Sequence, residues 1–437
     1  MVNLRLKNVI QYVVPTMLSN VCFFLFTIVD GIFVGQGVGT NALGAVNIVM
    51  PFVMAVNAVF MLINIGGVSI AAIRLGRGDT AGANRVFRQS TWMLILASAI
   101  MCALGTLLTG PLCTLLGATE TYHAYAVDYM FWWSLFIIPN GISMGLQAYC
   151  RNDNAPGLVS IAVIASTAAN IFLDWLLIYP IPWGTKGAAL ATGISQTISL
   201  LVVLSHFVMK KGVLRFGGPL LDGKLIGSIV VHGLPEGIGQ LATPIMTLCM
   251  NLVLVSKIGD IGINAFSIIS YVASFTVAVF FGTSEGLQPL FGLSYGSRNR
   301  EDLRYYFKAG VWINFIGSVV LTGIVILLSR PICTLFGADA VTLEYVLDVL
   351  PLYAWGFVVM SFNVMISAYL YSTDHSVQSI IINVLRSIVV SSTVILALPA
   401  IFGAEVVWFT FGIYEAIVLI AAWFLLRYAE RNMFHDR

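Results

Sequence analysis

The chain has 437 residues, of which 59% are hydrophobic and only 10% are charged; its net charge is +2 and its mean hydropathy +0.92. A soluble protein carries about a quarter charged residues, and a water-surrounded core of this chain length cannot hide so much apolar surface. These values exclude a soluble domain. A nucleic-acid partner is also excluded, because the net charge is only +2 and the basic residues are spread over one face of a membrane. The composition indicates an all-α polytopic membrane protein.

Apolar runs long enough to cross a bilayer, about 20 residues each, recur along the whole chain. With the N-terminus inside, Arg386 falls within a span, three basic residues (Lys186, Lys257 and Arg330) lie outside, and the other 18 of the 22 lie inside. Positive residues favour the cytoplasmic side, so we expect a multi-pass cell-membrane protein with both termini cytoplasmic. The runs predict twelve spans, near 9–34, 43–72, 88–110, 127–150, 157–179, 186–209, 225–256, 262–291, 306–329, 345–371, 377–400 and 404–427.

The two halves of the sequence repeat each other at an offset of 220 residues. The segment "PLCTLLGA" at 111–118 matches "PICTLFGA" at 331–338 in six of eight positions, and the same offset pairs Pro15 with Pro235. Each half has six spans, so both halves start on the same side and are related by a pseudo-twofold axis along the membrane normal. We predict two six-helix lobes, an N-lobe at 1–209 and a C-lobe at 225–437. A basic cytoplasmic linker at 210–224 joins them.

Ionisable side chains inside the predicted spans are the candidate functional residues, because a carboxylate there costs roughly 2.5–3.5 kcal/mol on insertion scales. Asp30 ends the outward-running first span, Asp174 lies late in the outward-running fifth, and Thr192 lies early in the sixth, which starts outside. At about 1.5 Å per residue these three share a depth. Asn170 lies one helical turn before Asp174, on the same face. Hard oxygen ligands of this kind suit H⁺ or Na⁺, so the sequence predicts a coupling-cation site here.

In the spans of the second half, the candidate functional residues are Glu236, Glu285, Arg386 and Glu415. For Arg386, a structural salt bridge to Glu285 or Glu415 explains the buried charge as well as a role in transport does, and both interpretations stay open. Asn57 and Asn64 lie seven residues apart on the second span, hence on one face, and are candidates for lining a cavity.

Several segments together resemble the MATE family, the multidrug and toxic compound extrusion transporters. They are "VDGIFVGQGVGTNALGAVNIVMP", which begins one residue before Asp30, followed by "GGVSIAAIRLGRGD", "NIFLD", "GAALATGISQ" and "GTSEGLQPLFGLSYGSRN". The likeness covers nearly the whole chain. Each glycine-rich, apolar piece is weak alone, and the combination is specific.

The resemblance implies a twelve-helix antiporter that exports small cationic or amphipathic compounds by alternating access between two lobes. Its coupling cation is H⁺ or Na⁺, and it needs no cofactor. The family's N-lobe cation site maps onto Asp30, Asn170, Asp174 and Thr192, and the proline linked to bending of the first helix is Pro15. One feature departs from the branch typified by sodium-driven exporters. That branch has a glutamate farther along the seventh helix, whereas the acid in the seventh helix of this chain is Glu236, seven residues earlier.

A flippase or exporter of a lipid-linked or metabolite substrate, from the same superfamily, is the alternative. It would hold a pyrophosphate with intramembrane arginines, of which this chain has one, Arg386. An enzyme is not expected, because neither a metalloprotease HExxH motif nor a phosphate-binding P-loop occurs. We expect a monomer whose partners are its substrate and the membrane lipid.

Overall fold

The chain folds into helices joined by short connections wherever the computed structural model describes it, at residues 2–217, 222–335 and 340–433. A lipid environment offers no hydrogen bonds, so an apolar segment must pair its backbone groups internally, as a helix does. The apolar runs therefore become helices although their individual amphipathic patterns are weak.

The first half of the chain forms eight helices: α1 (Val2–Gly37), α2 (Thr40–Gly76), α3 (Thr80–Leu107), α4 (Thr109–Leu115), α5 (Glu120–Ser134), α6 (Ile137–Asn152), α7 (Pro156–Ile178) and α8 (Gly184–Val208).

The described part of the second half continues with α9 (Gly223–Gly239), α10 (Ala242–Lys257), α11 (Asp260–Gly296), α12 (Arg300–Leu327), α13 (Ser329–Leu335), α14 (Ala340–Ser372), α15 (Ser376–Val384), a π-helical turn (Leu385–Val389), α16 (Val390–Phe402), a 3₁₀ turn (Ala404–Val406) and α17 (Val407–Asn432).

Eleven helical segments of the described chain are long and apolar enough to cross a membrane. The predicted span at 127–150 is the twelfth; it is divided between α5 and α6 by a break at Leu135 and Phe136, so neither piece reaches the length of a full span alone. The all-α, twelve-span prediction is confirmed in this form.

The internal duplication is visible in the backbone. Helices α3 and α12 start at residues 80 and 300, an offset of 220, and each is preceded by a capping side chain. Asp79 accepts a hydrogen bond from the backbone N–H of Gly82, and Asn299 accepts one from that of Asp302. Left-handed backbone recurs at the same offset, at Gly39 and Gly259. The repeated "PICTLFGA" motif ends at 336–338, outside the described residues.

The chain divides into two compact units. The N-unit is residues 14–233, and the C-unit is residues 1–13 with 234–437, as far as these are described. Two helices, α1 and α9, change unit along their length, beside Pro15 and Pro235 respectively. The predicted lobes 1–209 and 225–437, as functional halves, stay a prediction.

The described part of the predicted linker is held against the N-unit. Asp153 accepts a hydrogen bond from the backbone N–H of Val213 (2.7 Å), and its other oxygen lies 2.9 Å from Nε2 of His206. Asn84 donates to the carbonyl of Val213 (3.1 Å), and Arg88 donates to that of Gly217. The linker is therefore a bound strap over residues 210–217.

Candidate cation site in the N-unit

Two carboxyl groups that are distant in sequence meet inside the N-unit. Asp30 on α1 and Asp174 on α7 lie close enough to interact electrostatically, and Asn170, one turn earlier on α7, lies beside Asp174. All three side chains are buried: Asp30 is 8% exposed, and Asp174 and Asn170 are fully buried. The structure thus brings together three of the four residues that the sequence predicts for the cation site.

The polar atoms of this cluster lack partners. Oδ1 of Asp30, both carboxyl oxygens of Asp174 and both amide atoms of Asn170 are buried without a hydrogen bond to any described residue. Buried polar groups are normally hydrogen-bonded, and a buried charge is tolerated only when it is paired or neutralised. Two carboxylates cannot donate to each other, so the cluster requires a proton or a small cation. Carboxylate and amide oxygens are suitable ligands for either.

Tyr129 on α5 is a further member that the sequence reasoning missed. It is 3% exposed, and its phenol lies close enough to interact electrostatically with both Asp30 and Asp174. The segment "DYMFWWS" around it has the composition of an aromatic membrane-interface belt, so the sequence alone does not distinguish Tyr129 from its aromatic neighbours.

Thr192 lies on α8, the helix that follows α7 in the chain. The described contacts do not join it to Asp30 or Asp174. Its hydroxyl oxygen, on α8, is buried and has no hydrogen-bond partner in the part of the chain that the structure describes. Gly187 lets α8 approach α7 closely, since a Cβ there would lie 2.5 Å from the carbonyl oxygen of Leu177. The assignment of Thr192 as a cation ligand stays a prediction.

Pro15 lies inside α1, which is assigned as helix on both sides of it. The carbonyl of Pro15 accepts hydrogen bonds from the hydroxyls of Ser19 (2.8 Å) and Ser160 (2.9 Å), which ties this part of α1 to α7. Bending at this proline stays a prediction.

The two asparagines of α2 occupy different environments. Asn64 is 3% exposed and donates to the carbonyl of Met144 (3.2 Å), while its own oxygen has no partner among the described residues. Asn57 is half-buried. Their predicted role in lining a cavity is not tested by these contacts.

The buried charges of the C-unit are arranged differently. Nε of Arg386 lies 2.8 Å from Oε1 of Glu415, and Asn363 donates to Oε2 of Glu415 (2.7 Å). Elsewhere in this unit, Glu236 is 8% exposed and accepts a hydrogen bond from Gln240 (2.9 Å), and Glu285 is half-buried. Of the two salt bridges that the sequence left open for Arg386, the structure contains the one to Glu415. A role of these residues in coupling or substrate binding stays a prediction.

A duplicated bundle of membrane-spanning helices with a buried, unpaired acidic cluster is typical of transporters, because an intramembrane acid marks an ion or substrate pathway. The sequence profile of one family, MatE, matches residues 15–176 and 235–396, once in each repeat. The chain belongs to the MatE family. Members of this family are transporters rather than enzymes, and the family resemblance seen in the sequence motifs is confirmed.

Relatives of the chain agree with this assignment. The "Multidrug export protein MepA" of Staphylococcus haemolyticus is 23% identical over 98% of this chain and 94% of its own length, and that of Staphylococcus saprophyticus is 21% identical over 95% and 92%. Among solved structures, an outward-facing "multidrug resistance MATE family transporter of the MOP superfamily" superposes with a TM-score of 0.88 at 22% identity, covering 98% of this chain and 96% of that one.

Proposed function

We propose that the protein is a secondary active antiporter that exports cationic or amphipathic organic compounds in exchange for H⁺ or Na⁺. The observation that carries the proposal is the buried pair Asp30 and Asp174, whose oxygens lack hydrogen-bond partners in the described chain. The names of the MepA relatives support multidrug efflux as the process.

The chemistry of exchange follows from the need of this pair for positive charge. When H⁺ or Na⁺ occupies the cluster, the negative charge of the two carboxyls is compensated, and the Asn170 amide oxygen is a further ligand for Na⁺. When the cation leaves, an uncompensated negative charge remains in a poorly solvated place. A conformation that admits water or a cationic compound relieves that charge. Ion and substrate therefore favour different conformations, and by linkage each weakens the binding of the other.

Alternating access between the two lobes, with both termini in the cytoplasm, completes the proposal. The sequence supports this orientation through the distribution of its lysines and arginines. Transporters built from parallel repeats generally expose their site to each side in turn by moving one repeat against the other.

Reconstituted vesicles test the proposal. A pH gradient and a Na⁺ gradient are imposed separately, and uptake of a fluorescent organic cation is followed. We expect one of the two gradients to drive uptake and Asp174→Asn to abolish it. Uptake that neither gradient changes would reject antiport, and equal uptake by wild type and a folded Asp174→Asn variant would reject the site.

The structure disfavours a pyrophosphate-binding flippase. The one arginine within the predicted spans, Arg386, is already paired with Glu415. Its charge is thus compensated before any anionic headgroup arrives.

A further inference from the structure

The ion pair of the C-unit satisfies a buried carboxylate more completely than the N-unit satisfies either of its own. One oxygen of Glu415 faces Nε of Arg386 and the other accepts from Asn363, which also donates to the Glu415 backbone carbonyl (2.9 Å). The Glu415 side chain is fully buried and that of Arg386 is 8% exposed. By contrast, neither oxygen of Asp174 has a partner among the described residues.

The helix that carries Arg386 is locally modified. Arg386 lies in the π-helical turn Leu385–Val389, between α15 and α16. Such turns insert an extra residue into an α-helix at an energetic cost and occur frequently at functional sites. The corresponding helix of the N-unit, α7, is α-helical throughout, so this turn is a feature of the C-unit.

We propose that Arg386 is a resident cation: it occupies the place beside Glu415 that an exchangeable H⁺ or Na⁺ takes beside Asp174, and so keeps Glu415 out of ion exchange. The proposal rests on the proposed antiport function. It makes Arg386 the residue that restricts coupling to the N-unit.

The chemistry of the guanidinium explains why it suits this role. It stays protonated at all physiological pH values, so Glu415 is neutralised whether or not protons are available. It is also tethered by its own backbone, so a diffusing Na⁺ has to displace a partner that is always present. An uncharged side chain at this position would leave Glu415 as an unpaired buried carboxylate, which must then take up a proton or a cation.

Comparison of the two repeats shows that the pair is present in one of them only. The residue 220 positions before Arg386 is Ser166. In the last helix of each repeat, Gly193 aligns with Gly412, an offset of 219 residues. With this alignment, Gln196 is the residue that corresponds to Glu415. The N-unit therefore lacks the charged pair, just as the C-unit lacks the paired aspartates.

Counting bound cations on the purified protein tests the proposal. Radioactive Na⁺ binding and proton uptake after a pH step are measured for wild type and for Arg386→Gln. We expect Arg386→Gln to bind one more cation per molecule than wild type. Arg386→Lys, which keeps a tethered positive charge, and the double variant Arg386→Gln with Glu415→Gln should both return to the wild-type number. An unchanged count in folded Arg386→Gln would overturn the proposal.

A second variant covers the case in which Arg386→Gln does not fold. The double variant Asp30→Asn with Asp174→Asn removes the N-unit site and leaves the C-unit intact. We expect no cation whose binding depends on Glu415; a bound cation that disappears when Glu415→Gln is added would contradict the resident role. The cation counts are differences between purified variants and do not depend on transport. If wild-type protein in vesicles shows no exchange, the antiport function is rejected, but the cation counts still show whether Arg386 neutralises Glu415.

Discussion

The N-unit and the C-unit share a backbone plan but place their buried charges at different positions. Residues that set the backbone recur at an offset of 220, as the left-handed glycines Gly39 and Gly259 do. The buried charges do not recur: the positions that correspond to Asp30 and Asp174 hold Met250 and Val394. After duplication, turn and capping chemistry was retained because the helices need it, whereas charge within the spans diverged.

This difference separates two kinds of buried charge. The carboxylate of Glu415 has hydrogen-bond partners on both oxygens, so it is a fixed part of the C-unit. The carboxylate of Asp174 has none in the described chain, which is why we propose an exchangeable ligand there. The proposed exchange site therefore rests on two adjacent carboxyls with unmet hydrogen-bonding capacity, and not on burial alone.

The largest expected effect comes from removing charge in the N-unit. Asp30→Asn or Asp174→Asn should each reduce export to background, because the amide abolishes the negative charge that binds the coupling cation. The double variant should be no worse than either single one, since the pair acts as a unit. Drug resistance of cells with matched membrane expression measures this.

Asp348→Asn is the matched control for that experiment. Asp348 is an exposed acid on α14 of the C-unit, so its substitution should leave resistance unchanged. Wild-type resistance from a well-expressed Asp30→Asn variant would remove Asp30 from the account.

The next largest effect is an asymmetry in stability within the C-unit. Glu415→Gln should lower the free energy of unfolding by about 3–5 kcal/mol, because it leaves the permanently charged Arg386 buried without its partner. Arg386→Gln should cost less, because the unpaired Glu415 can take up a proton. Thermal unfolding of the purified variants measures both losses. Arg386→Gln should lose less stability at low pH, where Glu415 is protonated, than at high pH. An equal loss for this variant at the two pH values would contradict this reasoning.

A smaller effect is expected at Tyr129. The Tyr129 O–H lies near both aspartates and can donate to one of them once the cation has left and the carboxylate is charged. Tyr129→Phe removes this stabilisation of the empty site, so it should tighten coupling-cation binding roughly fivefold, as expected for the loss of about 1 kcal/mol. Tyr353→Phe is the control, since the Tyr353 hydroxyl donates to the sulfur of Met246 in the C-unit. The acid near Tyr353, Glu415, is already paired with Arg386. Cation titration of purified protein decides between them; equal affinities for wild type and Tyr129→Phe would exclude the phenol from the site.

The smallest effect concerns the strap on the N-unit. Asp153→Asn weakens the contacts to His206 and to the Val213 N–H, so trypsin should cleave after Lys210 and Lys211 about threefold faster. Export should be unaffected. Cleavage at the wild-type rate in inside-out vesicles would show that Asp153 does not hold the linker.

Much of the fold was predictable because composition and charge distribution are global signals. The twelve spans and the repeat followed from apolar runs and one offset, and the break between α5 and α6 was missed because hydropathy continues through Leu135 and Phe136. The pairing of Asp30 with Asp174 was predictable from depth. It was not predictable that the described contacts would leave Thr192 apart from the aspartates. The depth of a residue along its helix does not determine the direction in which its side chain points around that helix.

The charges of the second half show the same limit. The sequence offered Arg386 two acidic partners, and only packing selects Glu415. Tyr129 was not singled out because aromatic residues are common near membrane interfaces, and only its neighbours in space distinguish it.

The most direct test of the account is the release of cations from purified protein when a cationic drug is added. Protons are followed with a pH indicator and Na⁺ with a radioactive tracer, in weakly buffered detergent solution. The account predicts release of one of the two by wild type and by Asp348→Asn, and none by Asp174→Asn. Undiminished release from a folded Asp174→Asn variant would contradict the claim that the N-unit cluster exchanges the coupling cation.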